Sequence, residues 1–145
     1  MFVVDTNVLI YAADEDSEAH AVCRTSIDQW RRQAAPWFLT WAICYEFLRV
    51  CTHARVFRRP WTATAALGFL DALLAAPGVA LLEPTVRHPA VLQQTLGELP
   101  DLRGNVIHDL HTAVPMREHG VSRIVTRDTD FHRFPFLSVI DPLRQ

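Results

Sequence analysis

The chain has no lysine: all 14 basic side chains among its 145 residues are arginine. That absence excludes a Walker-type phosphate loop, a Schiff-base enzyme and a lysine general base. Glycine is scarce, and the five present (Gly68, Gly78, Gly97, Gly104 and Gly120) form no Gly-x-Gly-x-x-Gly dinucleotide fingerprint. The three cysteines, Cys23, Cys44 and Cys51, make no Cys-x-x-Cys pair, and their odd number cannot close a full disulfide set. They are expected as reduced, buried thiols. The opening Met-Phe-Val-Val-Asp lacks the basic segment of a signal peptide and meets an acid at position 5, so a cytoplasmic location is expected. Only the stretch from Ala63 to Leu82 is apolar over the length of a membrane span. Asp71 and Pro77-Gly78 interrupt it, so a buried helix, a turn and a strand are expected there, with no membrane partner.

What is present is a chain half hydrophobic and 21% charged, with a formal charge of −2. This composition fits one globular domain over residues 1–145 with a substantial core. Short β-branched runs alternate with helical stretches. Strands are expected at Phe2–Val4, Trp37–Leu39, Val79–Leu82, Ser122–Thr126 and Leu137–Ile140. Between them, Val8–Ala13 reads as a helix, and Ser17 as the cap of another through about Gln33. Thr40 caps a helix to about Cys51, and Thr62–Ala75, Pro89–Leu96 and Asn105–His119 are helical, the last closed by Gly120. The expectation is an α/β fold, a three-layer α/β/α sandwich on a mostly parallel sheet of about five strands.

Sites in such sheets form outside the carboxyl ends of the strands. Two strand ends each deliver an acid there, Val3-Val4-Asp5 and Val125-Thr126-Arg127-Asp128. If these strands are neighbours, Asp5 and Asp128 converge; taken singly, each also reads as a helix or turn cap. Asp130 lies further from its strand end and ranks behind them. Glu46 sits in Trp41–Cys51 with Ala42, Ile43, Arg49 and Val50 at helical spacing. A carboxylate on so apolar a face needs a partner, either Arg49 one turn on or a bound cation. Asp109 has Asn105, Val106, Thr112 and Ala113 around it, and taken alone it reads as a favourable charge near a helix start. Together, four acids from two strand ends and two helices cannot all stay ionised without positive compensation. Hard divalent cations supply it, and two of them about 4 Å apart can support phosphodiester hydrolysis.

Asp5-Thr6-Asn7-Val8-Leu9-Ile10-Tyr11, the embedded Glu46, Asp109 on its helix and Val125-Thr126-Arg127-Asp128-Thr129-Asp130-Phe131 together resemble the PIN-domain family. More narrowly they resemble the VapC toxins of bacterial toxin–antitoxin pairs. Glu118-His119-Gly120-Val121 and the tail through Asp141-Pro142-Leu143 extend the match along essentially the whole chain. The resemblance implies a five-stranded parallel sheet between helices. It also implies Mg²⁺ or Mn²⁺ held by Asp5, Glu46, Asp109 and Asp128, with Asp5 and Asp109 the firmest ligands. Asp130 would tune the site through water, and Thr6 and Thr126 would be supporting hydroxyls. The implied activity is an endoribonuclease that arrests translation, working as a homodimer and inhibited by a cognate VapB-type antitoxin. One departure is Pro115, inside the helix that carries Asp109, where a tolerated bend is expected.

Arg49, Arg55, Arg58 and Arg59 cluster with Phe57 and Trp61 after the Glu46 helix, an arrangement suited to RNA phosphates and base stacking. An ordinary solvated loop or an antitoxin surface are the other readings. His108 and His111 are spaced by three with no third nitrogen or sulfur ligand evident, so they are placed at the rim of the acidic crevice rather than on zinc. A haloacid-dehalogenase-type phosphatase requires a second Asp where Asn7 stands. A PIN-like scaffold that binds RNA or a partner without cutting is the remaining alternative.

Overall fold

The protein, described here by a computed structural model over residues 1–144, is a five-stranded sheet with helical crossovers. The strands are β1 (Phe2–Val4), β2 (Trp37–Leu39), β3 (Val79–Leu81), β4 (Arg123–Val125) and β5 (Ser138–Ile140). The helices are α1 (Thr6–Ala13), α2 (His20–Trp30), α3 (Trp41–Cys51), α4 (Ala63–Leu74), α5 (His88–Glu98) and α6 (Val106–Glu118), and a 3₁₀ turn covers Thr129–Arg133. Strand order is β3-β2-β1-β4-β5 and every pairing is parallel. The chain steps outward one way from β1 to β3, then returns past β1 to β4 and β5. Among the crossover helices, α1 packs on α2 and α3, α3 on α4, and α5 on α6.

Threonine caps set two helix starts. Thr40 Oγ1 accepts the Ile43 N–H at 3.3 Å and Thr62 Oγ1 accepts the Ala65 N–H at 3.1 Å. Ser17 does not cap a long helix. Its hydroxyl accepts the Ala19 N–H within a turn, and α2 starts only at His20 and ends at Trp30. The Ala63–Leu82 stretch divides into α4, a turn and β3. Among the described residues no helix is long and apolar enough to cross a membrane.

The core is built from both sheet faces, with Trp37, Phe47, Phe134, Leu9 and Leu39 fully buried. All three cysteines are buried and unpaired, and burial pushes the Cys44 thiol up to about 11. α6 runs unbroken through the buried Pro115, although that residue has no N–H for the His111 carbonyl. It ends in a Schellman arrangement: the Val121 N–H reaches the Met116 carbonyl at 2.9 Å and Gly120 adopts φ +67°.

Candidate active site

β1 and β4 are neighbours from which the chain departs in opposite directions, so their carboxyl ends open a crevice at the topological switch point. Val4 pairs with Val125, which sets Asp5 level with Thr126. The Asp5 N–H bonds the Val125 carbonyl at 3.0 Å.

The consequence is a closed lattice around Asp5. Its Oδ1 accepts the Thr6 N–H at 2.7 Å, and its Oδ2 accepts Asn7 Nδ2 at 2.7 Å and the Thr126 hydroxyl at 2.6 Å. The Thr126 oxygen in turn accepts Asn7 Nδ2 at 2.8 Å and the Asp128 N–H at 2.9 Å, while Asn7 Oδ1 accepts the Arg127 N–H at 3.2 Å. Asp5 is therefore oriented by both strand ends at once. Asn7 is the residue that sequence reasoning left unassigned; its amide, two positions after an acid at a strand end, was the available signal. Thr6 supports the site through its backbone, because its hydroxyl is directed to the Ile43 carbonyl at 3.5 Å.

A cleft of about 220 Å³ opens over this lattice, lined by Asp5, Glu46, Asp109 and Asp128 with Asn7, Ile43, His108, Thr112 and Phe131 among their neighbours. All four sequence-identified acids thus reach one cavity. Asp130 lies closer to the other acids than its place in the sequence indicates. Asp128 Oδ1 accepts the Asp130 N–H at 2.9 Å, and the 3₁₀ turn that follows brings both side chains beside Asp109. One carboxylate oxygen from each of Asp109, Asp128 and Asp130 lies within 4.8 Å of the others.

The electrostatics follow from that crowding. Burial, then Asp128, Asp5 and Asp130, push the Asp109 carboxyl up to about 7. Burial also raises the Asp5 carboxyl, opposed by the hydrogen bonds from Thr126, Thr6 and Asn7. Glu46 behaves in the opposite way. Arg49 Nε and Nη2 grip Glu46 Oε2 and Oε1 at 2.8 and 2.6 Å, and that bidentate contact holds its carboxyl below the usual range. Among the described residues, Asp109, Asp128 and Asp130 have no arginine partner. Three hard oxygen donors, close together and without a cation of the chain's own, are a donor set suited to Mg²⁺ or Mn²⁺.

The basic segment after α3 is placed differently from its sequence expectation in one respect. Phe57 is 3% exposed in the core, and Trp61 packs edge-on against Phe47, Phe57 and Phe69. The Phe57 ring is not presented for base stacking, because the core takes it, whereas Trp61 is half-buried and borders a hollow beside Arg59. Arg55 and Arg58 are exposed, and Arg59 lines a separate hollow with Asp14, Glu15 and Asp16. His108 lines the cleft, whereas His111 borders a different hollow with Leu96 and Ile107.

A family model described as PIN domain matches residues 2–137. Ribonuclease VapC37 of Mycobacterium tuberculosis is 36% identical over 134 residues, covering 92% of each chain. VapC ribonuclease Mb2897 of Mycobacterium bovis is 35% identical over 143 residues, 99% of this chain and 96% of that protein. The crystal structure of VapBC2 from Rickettsia felis, bound to a promoter DNA fragment, contains a chain that superposes with a TM-score of 0.68. It is 15% identical, with 96% of both chains covered, a likeness in fold.

Proposed function

The chain belongs to the PIN domain family, and from that premise we propose that it is a divalent-metal-dependent endoribonuclease, the toxin of a type II toxin–antitoxin pair. The observation that carries the reading is the group of three carboxylates, Asp109, Asp128 and Asp130, gathered within 4.8 Å beside the oriented Asp5. The names of the VapC relatives supply the substrate class, RNA.

In this reading Asp109, Asp128 and Asp130 hold Mg²⁺ or Mn²⁺, with Asp5 as a further ligand and Glu46 across the cleft. When bound there, the ion would supply Lewis-acid chemistry, lowering the pKa of water and offsetting charge on the phosphate. The chain's own groups do the rest. Thr126 and Asn7 fix Asp5, so that acid meets the site without reorganising. Glu46 or Asp128, both lining the cleft, positions or deprotonates the attacking water. Arg55, Arg58 and Arg59 contact the RNA backbone as a sequence-independent anchor. The molecule works in the cytoplasm as a single-domain homodimer under a cognate VapB-type antitoxin. The groove between α3 and α4, with Trp41, Tyr45 and Leu67 exposed beside Leu48 and Leu74, supplies an apolar surface for protein contact.

Asp5→Asn tests the reading. The amide retains the size of the carboxyl but removes its charge, so Mn²⁺-dependent RNA cleavage is expected to fall to background while circular dichroism is unchanged. Cleavage that survives in this variant and ignores metal contradicts the mechanism. A folded wild type that neither cuts RNA nor responds to Mn²⁺ supports the scaffold alternative.

A further inference from the structure

The acids that face the cleft differ in one way that bears on how an ion enters it. Asp109, Asp128 and Asp130 crowd together, whereas both oxygens of Glu46 are already occupied by the Arg49 guanidinium at 2.6 and 2.8 Å. The clamp is local. Arg49 is three residues from Glu46 on α3, and among the described residues its guanidinium has no other ion pair or hydrogen bond. The Arg49 side chain is 63% exposed and that of Glu46 33%, so the pair is weakly held and the arm leaves it without unpacking anything. The other titratable side chain that bears on Glu46 is His108, from α6.

We infer that Arg49 is an exchangeable internal cation that occupies Glu46 in the metal-free protein and is displaced when a divalent ion reaches that side of the cleft. This rests on the metal-dependent reading given above. Metal loading is then ordered. The three aspartates, which have no cation to lose, accept an ion directly, and Glu46 joins only as Arg49 swings away. Glu46 and Arg49 together are neutral, so the resting cleft concentrates its negative charge on one wall. Arg49 is a positioning residue here: it acts through Glu46.

The test is Mn²⁺ binding by isothermal titration calorimetry to the full chain as wild type, Arg49→Gln, Glu46→Gln and the double variant. Removing the internal competitor is expected to tighten binding by about two- to fivefold, the range an exposed ion pair spans. Arg49→Gln is expected to add nothing in the Glu46→Gln background, because its competitor role then has no carboxylate to act on. In ¹⁵N spectra of the wild type, the Arg49 Nε–H resonance is expected to shift on Mg²⁺ addition. Equal affinities for wild type and Arg49→Gln overturn the inference. So does an equal gain in the Glu46→Gln background, which marks a general charge effect. Absence of Mn²⁺ binding to the wild type overturns the metal-dependent reading itself, whereas binding without the Arg49 effect overturns the exchange alone.

Discussion

Asp109→Asn is expected to raise the melting temperature of the metal-free protein and, in the same molecule, to abolish Mn²⁺-dependent RNA cleavage. The two effects have one cause. Burial and the neighbouring Asp128, Asp5 and Asp130 push the Asp109 carboxyl up to about 7. A folded-state value above the ordinary 3.8 means that the group disfavours folding whenever it is ionised. Its contribution is therefore most favourable at acid pH, is lost as pH rises towards about 7, and leaves full repulsion above that. Asparagine removes the charge and keeps the shape. The expected gain is roughly 3–6 °C at about pH 8, after allowing for solvent screening of a partly exposed group, and close to nothing near pH 4. Differential scanning calorimetry across that range checks it. A variant that is destabilised at about pH 8, or stabilised equally at both ends, contradicts the repulsion account.

Glu118→Ala carries the largest expected loss of stability. Glu118 is the last residue of α6, and its side chain is fully buried. Its Oε1 accepts both the N–H and the hydroxyl of Thr85, at 2.8 and 2.6 Å, and its Oε2 meets His88 Nδ1 at 2.7 Å. Arg87 also donates to the Glu118 backbone carbonyl. Burial alone would raise this carboxyl. The Thr85 and His88 contacts more than offset it and hold the group below its ordinary value. Truncation leaves the Thr85 N–H and hydroxyl, with the His88 ring, without their acceptor, at a cost of about 2–4 kcal/mol in urea denaturation. The sign with pH is opposite to that of Asp109. This stabilisation is present above the ordinary carboxylate value and is lost as acid protonates Glu118. A loss below about 0.5 kcal/mol, as at an ordinary surface position, contradicts the role assigned to the network.

Much of this was legible in the residues themselves. Five short apolar runs became the five strands, and Thr40 caps the helix its position announced, while Thr62, read as the first residue of a helix, is its cap. The approach of Asp5 to the β4 end depended on β1 and β4 being neighbours, which is a long-range fact that spacing alone does not contain. The position of Asp130 was hidden for a different reason. The turn at Thr129–Arg133 is too short to show a helical period, yet its tight winding turns Asp130 towards Asp109. Phe57 was misplaced because its arginine-rich neighbours suggested an exposed loop, while tertiary packing took the ring into the core. The pairing of Glu46 with Arg49 was visible in their separation of three on one helix. Which of the two expected partners it holds required the fold.

The claim on which the rest depends is that the cleft acids, drawn from both strand ends and α6, repel one another and are relieved by a divalent ion. Thermal unfolding of the wild type against Mn²⁺ concentration measures that relief. At about a hundred times the dissociation constant, binding to the folded state alone contributes about 2.7 kcal/mol, an increase of several degrees in melting temperature. The increase should be larger at about pH 7.5 than at about pH 5.5, where a proton on Asp109 competes with the metal. A melting temperature indifferent to Mn²⁺ at both pH values contradicts the account.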